Sequence, residues 1–399
     1  MKPIFASGIA LFSIATYFAV AMPKSTVPAA EDTTPSRVLL TWGNDPATTA
    51  VVTWRTEAVS GGAELQYAVA SADPRFVSNT SSAKAVSQNV DLAEGGSAYY
   101  HTASLTGLKP DTRYSYRVGD GVKWSEWYDF KTASSQPKPF TFVYFGDAQN
   151  DIKSMWSRVV RQSAKDAPYA DFMLHAGDLI NVAEADHEWA EWFYAGGWLH
   201  ATVPSIATPG NHEYKNGLSK LWRPQFHYPH NGVAGLEDTN YYFDYQGARI
   251  ISLNSNEKTA EQAVWLDKIL DAAKANWVIV TFHHPMYSTA NGRDNKALRE
   301  LWLPILLKHK VDLVLQGHDH SYGRMNLPSG VSTKKGTTYL VVSVSGPKQY
   351  NVGDDAKDRM TKLGEYKQLY QVIRVAPDTI KYEARLATGE LYDSFEIKK

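Results

Sequence analysis

The sequence predicts a multidomain protein with an N-terminal all-β sandwich followed by an α/β domain. In the α/β domain we expect two sheets packed as a sandwich and flanked by helices. Three observations predict this fold class. The 399 residues exceed what one hydrophobic core usually fills, so about two domains are expected. Residues 37–132 consist of short β-branched and aromatic runs between turn signals, whereas amphipathic helical patterns alternate with strands after residue 140.

Composition excludes several classes of protein. Lys and Arg number 41 against 42 Asp and Glu, for a formal net charge of −1, which argues against general polyanion binding by phosphate neutralisation. We therefore expect nucleic acid only as a candidate substrate. The chain has no cysteine, so oxygen and nitrogen atoms must hold any metal, and hard or borderline cations are favoured.

The first residues resemble a targeting signal. Lys2 precedes an apolar run over residues 4–20, and residues 19–21 (Ala-Val-Ala) fit a small-x-small cleavage site. We expect a signal peptide over residues 1–21, export to the periplasm or the medium, and no stable membrane span after cleavage. The alternative is an uncleaved anchor, since the run approaches the ~20 residues needed to cross a bilayer. Residues 22–34 are predicted to be a linker.

Residues 35–133 are predicted to form the sandwich domain. Its predicted strands are RVLLTW, AVVTWRT, ELQYAVA, YYHTASL, RYSYRV and WSEWYDF. The segment LTGLKPDTRYSYRVG, residues 105–119, resembles the corner before a late strand in fibronectin type III domains. Such a domain can bind carbohydrate or another partner, but a structural companion role is the simpler expectation.

Residues 140–399 are predicted to form the α/β domain. Amphipathic helices are expected at residues 155–164, 184–194, 259–275 and 296–309. Strands are expected between them, and the strands after residue 367 are expected to complete the second sheet. Periodicity does not fix the strand order.

Five apolar strands in this domain each end in a candidate ligand. FTFVYFGDAQ, FMLHAGDLIN and PSIATPGNHE end in Gly-Asp or Gly-Asn turns, and VIVTFHHP and LVLQGHDH end in histidines. Ligands just past neighbouring strand ends converge on one edge of a sheet, and the preceding glycines allow sharp turns. The candidate ligands are Asp147, Asp178, Asn211, His283, His318 and His320. Each alone is more simply a turn or surface residue, but the set predicts a site for two metals.

Two cations close together require a bridging anion, and Asp178 is the candidate bridge. One side would then be completed by Asp147 and His320, and the other by Asn211, His283 and His318. The two histidines of GHDH face the same side if extended, whereas a tight turn aims them at adjacent metals. The spacing permits either arrangement.

The blocks GDAQ, GDLI, GNHE, VTFH and GHDH resemble the five signatures of calcineurin-like metallophosphoesterases. With the fibronectin-like domain before them, residues 35–399 resemble the purple acid phosphatase branch. The resemblance implies that Asp147, Asp178 and His320 bind the first metal. It implies that Asp178, Asn211, His283 and His318 bind the second, with His212 as a non-ligand histidine beside the scissile phosphate.

Two positions depart from that family pattern. Purple acid phosphatases have a tyrosine three residues after the bridging aspartate, where this chain has Asn181, so we expect a colourless enzyme. Other metallophosphoesterases have a histidine where this chain has Gln149. With less anionic donation the metals should be divalent, with Fe, Mn or Zn expected, and Gln149 or Asn181 becomes a candidate metal ligand or neighbour of a ligand.

The leading functional hypothesis is an exported phosphoesterase that hydrolyses phosphate monoesters of small molecules by attack of a metal-activated water. His212 would assist the leaving group. One alternative is a phosphodiesterase acting on nucleotides or glycerophosphodiesters. Another is a cell-surface binding protein with a degenerate metal site. Sequence predicts neither the natural substrate nor the oligomeric state.

Residues near these motifs are candidates for substrate binding. Arg293 and Arg223 can bind phosphate through two N–H groups, and His284 follows a candidate ligand. Four further side chains are candidates for lining the mouth of the site. These are His187, Trp189, Tyr214 and His227.

Overall fold

A computed structural model describes residues 32–331 and 334–399. The predicted signal peptide, and residues 22–31 of the predicted linker, lie outside the described residues. Within the described part of the chain, no helix combines the length and apolar character needed to cross a membrane.

Two four-stranded antiparallel sheets form the N-terminal sandwich, ordered β1-β2-β6-β5 and β4-β3-β7-β8. The strands are β1 (Ser36–Thr41), β2 (Ala50–Thr56), β3 (Glu64–Val69), β4 (Ser81–Lys84), β5 (Val86–Asp91), β6 (Ser97–Leu105), β7 (Arg113–Gly119) and β8 (Tyr128–Lys131). Apolar residues on the inner faces, such as Trp54, Leu65 and Tyr116, are buried together between the sheets. Burial of these faces drives the two sheets together.

The last strand of the sandwich is shorter than its aromatic pattern predicts. Trp124 makes only an isolated bridge to Gly119. The Arg117 guanidinium lies 4.2 Å from the ring centroid of Trp124 and 4.8 Å from that of Trp127. Both tryptophans therefore pack around a cation before the strand begins at Tyr128.

The first sheet of the α/β domain has six strands, ordered β11-β10-β9-β19-β20-β21. Its strands are β9 (Phe140–Phe145), β10 (Phe172–His175), β11 (Ser205–Ala207), β19 (Leu369–Val375), β20 (Thr379–Leu386) and β21 (Leu391–Lys398). The first three are parallel, and β19 pairs antiparallel with β9. The expectation that the C-terminal strands complete the second sheet is therefore wrong, because β19 returns to the edge of β9.

The second sheet has seven strands, ordered β12-β13-β14-β15-β17-β16-β18. Its strands are β12 (Tyr241–Tyr245), β13 (Ala248–Ser252), β14 (Trp277–Thr281), β15 (Leu313–Gln316), β16 (Tyr322–Val331), β17 (Lys334–Val342) and β18 (Lys362–Gly364). Strands β13, β14, β15 and β17 are parallel. Their ligand-bearing ends therefore lie at one edge of the sheet.

In the described residues six α-helices accompany the sheets, and four of them occupy the regions predicted from sequence. The helices are α1 (Ser157–Asp166), α2 (Asp186–Gly196), α3 (Leu199–Thr202), α4 (Thr259–Asp271), α5 (Lys296–Lys308) and α6 (Asp354–Arg359). A π-helical turn, Ile152–Trp156, precedes α1. Apolar side chains of α4 and α5, including Leu266 and Trp302, pack with Val280 and Val314 of the second sheet. The predicted fold class, a sandwich domain followed by a two-sheet α/β domain, is confirmed.

The sandwich and the α/β domain share one hydrophobic core. Trp42 is 1% exposed, and its ring centroid lies 5.2 Å from that of Tyr245, 5.4 Å from Phe243 and 5.8 Å from Phe172. Arg37 adds a buried ion pair, with its Nη1 2.6 Å from Asp186 Oδ1 at the start of α2. The sandwich is thus packed against the sheet that supplies three of the candidate ligands.

Candidate metal centre

Each candidate ligand lies two to four residues beyond a strand of the two sheets, and parallel strands bring these ends together. Asp147 follows β9, Asp178 follows β10 and Asn211 follows β11. From the second sheet, His283 follows β14, and the GHDH turn follows β15. A parallel bridge between Asp147 and Val344 joins the two sheets at this point. The two sheet edges therefore meet at a single buried cluster.

The glycines of these motifs allow close approach more than they allow sharp turns. A Cβ atom on Gly317 would lie 2.3 Å from Asp147 Oδ1, and one on Gly210 would lie 2.0 Å from Asp178 Oδ1. A left-handed backbone is found at Gly177, with φ of 87°, and at three of the ligands themselves. Asp178, His318 and His320 have φ of 51°, 75° and 50°. Non-glycine residues in this region are strained, and such strain clusters at functional sites.

His283 Nε2 lies at the centre of one group of ligand atoms. It is 3.2 Å from Asp178 Oδ2, 3.2 Å from Asn211 Oδ1 and 3.1 Å from His318 Nδ1. The other ring nitrogen, Nδ1, donates to the carbonyl of Ala176 at 2.8 Å, which leaves Nε2 facing the site. In the metal-free chain Nε2 carries a proton and faces three atoms that all present lone pairs. One proton can serve only one of these contacts, whereas a cation among them serves all of them.

Asp147 and His320 form a second group beside the first. His320 Nε2 lies 3.4 Å from Asp147 Oδ2, and His320 Nδ1 donates to the Lys348 carbonyl at 3.2 Å. Asp147 Oδ2 is buried without a hydrogen-bond partner in the described chain, and a buried orphan carboxylate oxygen is costly. Asp147, Asp178 and His283 offer ligand atoms within 4.8 Å of one another. The donor set fits oxygen- and nitrogen-preferring metals.

The pKa values of this cluster follow from burial and from the close contact of unlike groups. Burial raises the pKa of Asp147 to about 8. Burial opposes the charges of Asp178 and His283 too, but in the metal-free chain their mutual attraction outweighs it, holding the pKa of Asp178 below its ordinary range and raising the pKa of His283 to about 9. Burial lowers the pKa of His320 to about 3 and also lowers that of His318. Both imidazoles are therefore neutral at physiological pH, as metal ligation requires.

Gln149, a candidate metal ligand from its sequence position, is buried next to the Asp178 loop. The side chain is fully buried, and both Oε1 and Nε2 lack a hydrogen-bond partner among the described residues. Its backbone N–H donates to the Asp178 carbonyl at 3.1 Å. Asn181 differs, because it is half-buried and its carbonyl, not its side chain, accepts a hydrogen bond from His212.

Glu213 is a site residue that the sequence reasoning missed. Its carboxylate accepts backbone N–H bonds from Gly210 at 2.7 Å, Leu179 at 2.8 Å and Asp178 at 2.9 Å. Burial raises the pKa of Glu213 to about 7. The side chain ties the loop of Asp178 to the loop of Asn211. In the sequence, Glu213 directly follows Asn211 and His212 in the GNHE motif, and this position could have identified it as a site residue.

His212 lies beside Asp178 with one ring nitrogen available. Its backbone N–H donates to Asp178 Oδ1 at 2.9 Å, and its Nδ1 donates to the Asn181 carbonyl at 2.5 Å. The ring is only partly buried. Its Nε2 has no hydrogen-bond partner among residues 32–331 and 334–399, so it is available to a bound molecule.

Two of the three predicted substrate-binding residues adjoin the cluster. Arg293 Nη1 donates to the carbonyl of His318 at 2.9 Å, with one third of its side chain exposed. The ring of His284 lies 4.4 Å from that of His318, and its Nδ1 bonds to Ser255 Oγ at 2.8 Å. The structure does not bring Arg223 into contact with the cluster, because Arg223 bonds to the carbonyls of a loop at residues 235–237.

The four side chains predicted to line the mouth are dispersed. Trp189 is completely buried in the core, so that prediction is wrong for Trp189. His227 Nε2 bonds to Thr102 Oγ1 of the sandwich at 3.1 Å. The Tyr214 hydroxyl is engaged by Glu257 and Asn254, each at 2.7 Å. His187 is exposed and lines a cavity of about 530 Å³ that also contacts residues 150–154.

Comparison with known families agrees with this architecture. Residues 35–132 match the family model described as purple acid phosphatase, N-terminal domain, and residues 140–322 match that of calcineurin-like phosphoesterase. The chain is 26% identical over 372 residues to Fe(3+)-Zn(2+) purple acid phosphatase 12 of Arabidopsis thaliana, spanning 86% of this chain and 76% of that protein. It is 27% identical over 345 residues to a phosphoenolpyruvate phosphatase of Allium cepa, spanning 80% of this chain and 69% of that protein.

Solved structures share the fold across most of the chain. A purple acid phosphatase from yellow lupin (Lupinus luteus) seeds superposes with a TM-score of 0.77 at 21% identity, over 92% of this chain and 74% of that chain. The structure of PhoD gives a TM-score of 0.66 at 14% identity, over 92% and 90% of the two chains. At these identities the likeness concerns the fold alone.

The chain thus carries, in this order, a region that matches the purple acid phosphatase N-terminal domain and a region that matches the calcineurin-like phosphoesterases. The relatives named purple acid phosphatases belong to a family of metal-dependent phosphoric ester hydrolases. The resemblance inferred from the five sequence blocks is thereby confirmed.

Proposed function

We propose that the chain is an exported, dinuclear metal phosphoesterase that hydrolyses phosphate monoesters. The observation that carries the proposal is the convergence on His283 Nε2 of Asp178 Oδ2, Asn211 Oδ1 and His318 Nδ1, all within 3.2 Å. A second such group, Asp147 and His320, lies beside it. The match of residues 140–322 to the calcineurin-like phosphoesterase model supports the phosphoric ester class.

In the proposed site Asp178 would serve both metals. Asp147 and His320 would complete the first position, and Asn211, His283 and His318 would complete the second. Gln149 is the candidate additional donor to the first metal, since its buried amide has no other partner in the described residues. Without a tyrosinate at Asn181, we expect divalent metals and a colourless protein. Fe, Mn and Zn all accept this set of oxygen and nitrogen donors.

When bound, the two cations would lower the pKa of an attacking water and neutralise the phosphoryl oxygens. The remaining roles belong to the protein. His212, with Nδ1 held by the Asn181 carbonyl, presents Nε2 to protonate the departing alcohol oxygen. Arg293, anchored on the His318 carbonyl, keeps other N–H groups for an anionic group of the substrate. Glu213 holds the Asp178 and Asn211 loops in their relative positions.

Metal removal and reconstitution test the proposal directly. The mature protein is stripped with chelator and titrated with Mn²⁺, Fe²⁺, Zn²⁺ or Mg²⁺ while bound metal and turnover of para-nitrophenyl phosphate are measured. We expect two metals per chain and activity that returns with the second equivalent. Asp178→Asn should lose both metal and turnover. Full activity after exhaustive chelation would contradict the proposal.

The same preparation separates the two alternative functions. Faster hydrolysis of bis-para-nitrophenyl phosphate than of the monoester would assign a phosphodiesterase. A folded protein that binds no metal and hydrolyses neither ester would support the cell-surface binding role. Export is tested by the N-terminus of the processed protein, which we expect to follow residue 21.

A further inference from the structure

Two cationic side chains lie over one tyrosine ring beside the candidate ligands. The guanidinium carbon of Arg293 is 4.8 Å from the ring centroid of Tyr350, and Lys348 Nζ is 5.7 Å from the same centroid. The Tyr350 ring packs edge-on against that of His320, with centroids 4.7 Å apart. The cationic cluster of Arg293, Tyr350 and Lys348 thus borders the metal centre without belonging to the proposed ligand set.

Backbone contacts fix the cationic cluster to the turn that carries the two GHDH histidines. Tyr350 N donates to the His320 carbonyl at 3.0 Å, and the Lys348 carbonyl accepts from His320 Nδ1 at 3.2 Å. Arg293 Nη1 donates to the His318 carbonyl at 2.9 Å. The backbone of residues 348 and 350 and the Arg293 guanidinium therefore keep a defined position relative to His318 and His320.

The positive charge of the cationic cluster is only partly balanced by protein. Arg293 Nη1 lies 3.5 Å from Asp319 Oδ1, so one carboxylate faces the two cations of the cluster. Within residues 32–331 and 334–399, Lys348 forms no ion pair. Two cations that share one ring repel each other, and an anion placed between them relieves that repulsion.

We infer that the cationic cluster is a subsite for a second anionic group of the substrate. The enzyme then prefers phosphate monoesters whose alcohol carries a carboxylate or a further phosphate. This inference rests on the proposed phosphatase function. In the reaction the water oxygen forms a bond to phosphorus, the bond from phosphorus to the alcohol oxygen breaks, and the alcohol leaves with a proton. The second anionic group remains on the alcohol and contributes binding only.

Matched substrate pairs test the subsite. Glycerol 3-phosphate and 3-phosphoglycerate differ by a carboxylate, and fructose 6-phosphate and fructose 1,6-bisphosphate differ by a phosphate. Phosphate release by the metal-loaded protein gives kcat/KM for each member. We expect the doubly anionic member to be preferred in at least one pair, and the responding pair identifies the anion.

Lys348→Gln is the informative variant, since it removes one charge and leaves the backbone bond to His320 intact. We expect the preference ratio in the responding pair to fall roughly tenfold, mainly through KM, because charged hydrogen bonds are the stronger ones. Lys362→Gln is the matched control. Lys362 also lies over a tyrosine ring, 4.7 Å from the centroid of Tyr392, so its substitution should leave the ratio unchanged.

The possible results distinguish failure of the proposed phosphatase function from failure of the proposed subsite. If the protein with two metals bound hydrolyses neither para-nitrophenyl phosphate nor any of the four substrates, the proposed function and the subsite are both overturned. Hydrolysis of the singly anionic members with no preference in either pair overturns the subsite alone. A preference that Lys348→Gln leaves unchanged also overturns it.

Discussion

His212 lies close to Asp178 but has a free ring nitrogen, and this distinguishes it from the proposed ligands. Its Nδ1 is committed to the Asn181 carbonyl. We expect His212→Ala to lower kcat by about 10²- to 10⁴-fold, the range for lost general acid catalysis, while the protein retains two metals. Turnover and metal content are measured on the same sample. His230→Ala, at an exposed histidine paired with Asp238, is the control and should change neither quantity.

A loss of metal in His212→Ala that parallels the loss of kcat would assign His212 a structural role. A purely chemical role also predicts that substrates with better leaving groups, such as para-nitrophenyl phosphate, suffer less than alkyl phosphates. The reason is that a good leaving group needs little protonation.

His200 is a buried histidine whose titration should affect stability. Its ring stacks on Trp192 with centroids 3.8 Å apart, and burial lowers the pKa of His200 to about 3. The unfolded chain binds this proton near the ordinary pKa of about 6.5. The stabilising contribution is therefore complete above about pH 6.5 and is lost as the pH falls toward 3.

The pH dependence of unfolding tests this contribution. Between pH 6.5 and 5 the metal-free protein should lose about 1.7 kcal/mol through His200 alone, because the unfolded-state imidazole is half protonated at pH 6.5 and the full slope of about 1.36 kcal/mol per pH unit is reached only at lower pH. In His200→Phe that loss should be absent, so the variant should show a flatter decline of unfolding free energy with acid. Urea unfolding at several pH values supplies the comparison. Equal slopes for the two proteins would contradict the assignment.

At the scale of elements, the turns after the strands determine the geometry of the site. A Cβ atom on Gly210 would lie 2.0 Å from Asp178 Oδ1 and 2.4 Å from its backbone N. Gly210→Ala must therefore displace the Asp178 loop. We expect metal affinity to fall at least about tenfold, which is the typical effect of removing a residue that orients a metal ligand. Secondary structure should be retained.

Calorimetric metal titration measures this effect without relying on turnover. Gly61→Ala is the control, because a Cβ atom at Gly61 meets no atom within 4 Å. If Gly210→Ala bound metal as tightly as the unaltered protein, the loop would have room to move and the close-approach argument would be wrong.

The elements themselves were largely predictable from sequence. The helix predicted at residues 296–309 is α5 (Lys296–Lys308), and that predicted at residues 259–275 is α4 (Thr259–Asp271). Amphipathic periodicity is a local property of the sequence, so it predicts a helix without information about the segments that pack against it. The sheet that receives β19 was predicted wrongly, because strand periodicity is the same for any pairing partner and the pairing of β19 with β9 spans more than 200 residues.

At the scale of the whole molecule, the sandwich and the α/β domain share a core and should unfold together. Trp42 contributes through contacts with Phe172, Phe243 and Tyr245. We expect Trp42→Ala to cost about 3–5 kcal/mol of unfolding free energy, as for other buried aromatic residues. Calorimetry should show one transition at a lower temperature for the metal-free protein.

Trp127→Ala is the comparison, since Trp127 is half-buried beside Arg117 and Phe76 within the sandwich. It should cost less than Trp42→Ala. Two resolved transitions, with only one shifted by Trp42→Ala, would show that the domains unfold independently despite their contact.

The sequence by itself determined the fold class, the order of the domains and the candidate ligands, because each depends on local patterns of apolar periodicity and turn chemistry. The tertiary structure decided how the candidate residues are used. It placed Arg293 at the ligand cluster and Arg223 elsewhere, buried Trp189, and brought Lys348 and Tyr350 beside His320. Such contacts join residues that are far apart in the chain, so they depend on how the elements pack and local sequence patterns do not determine them.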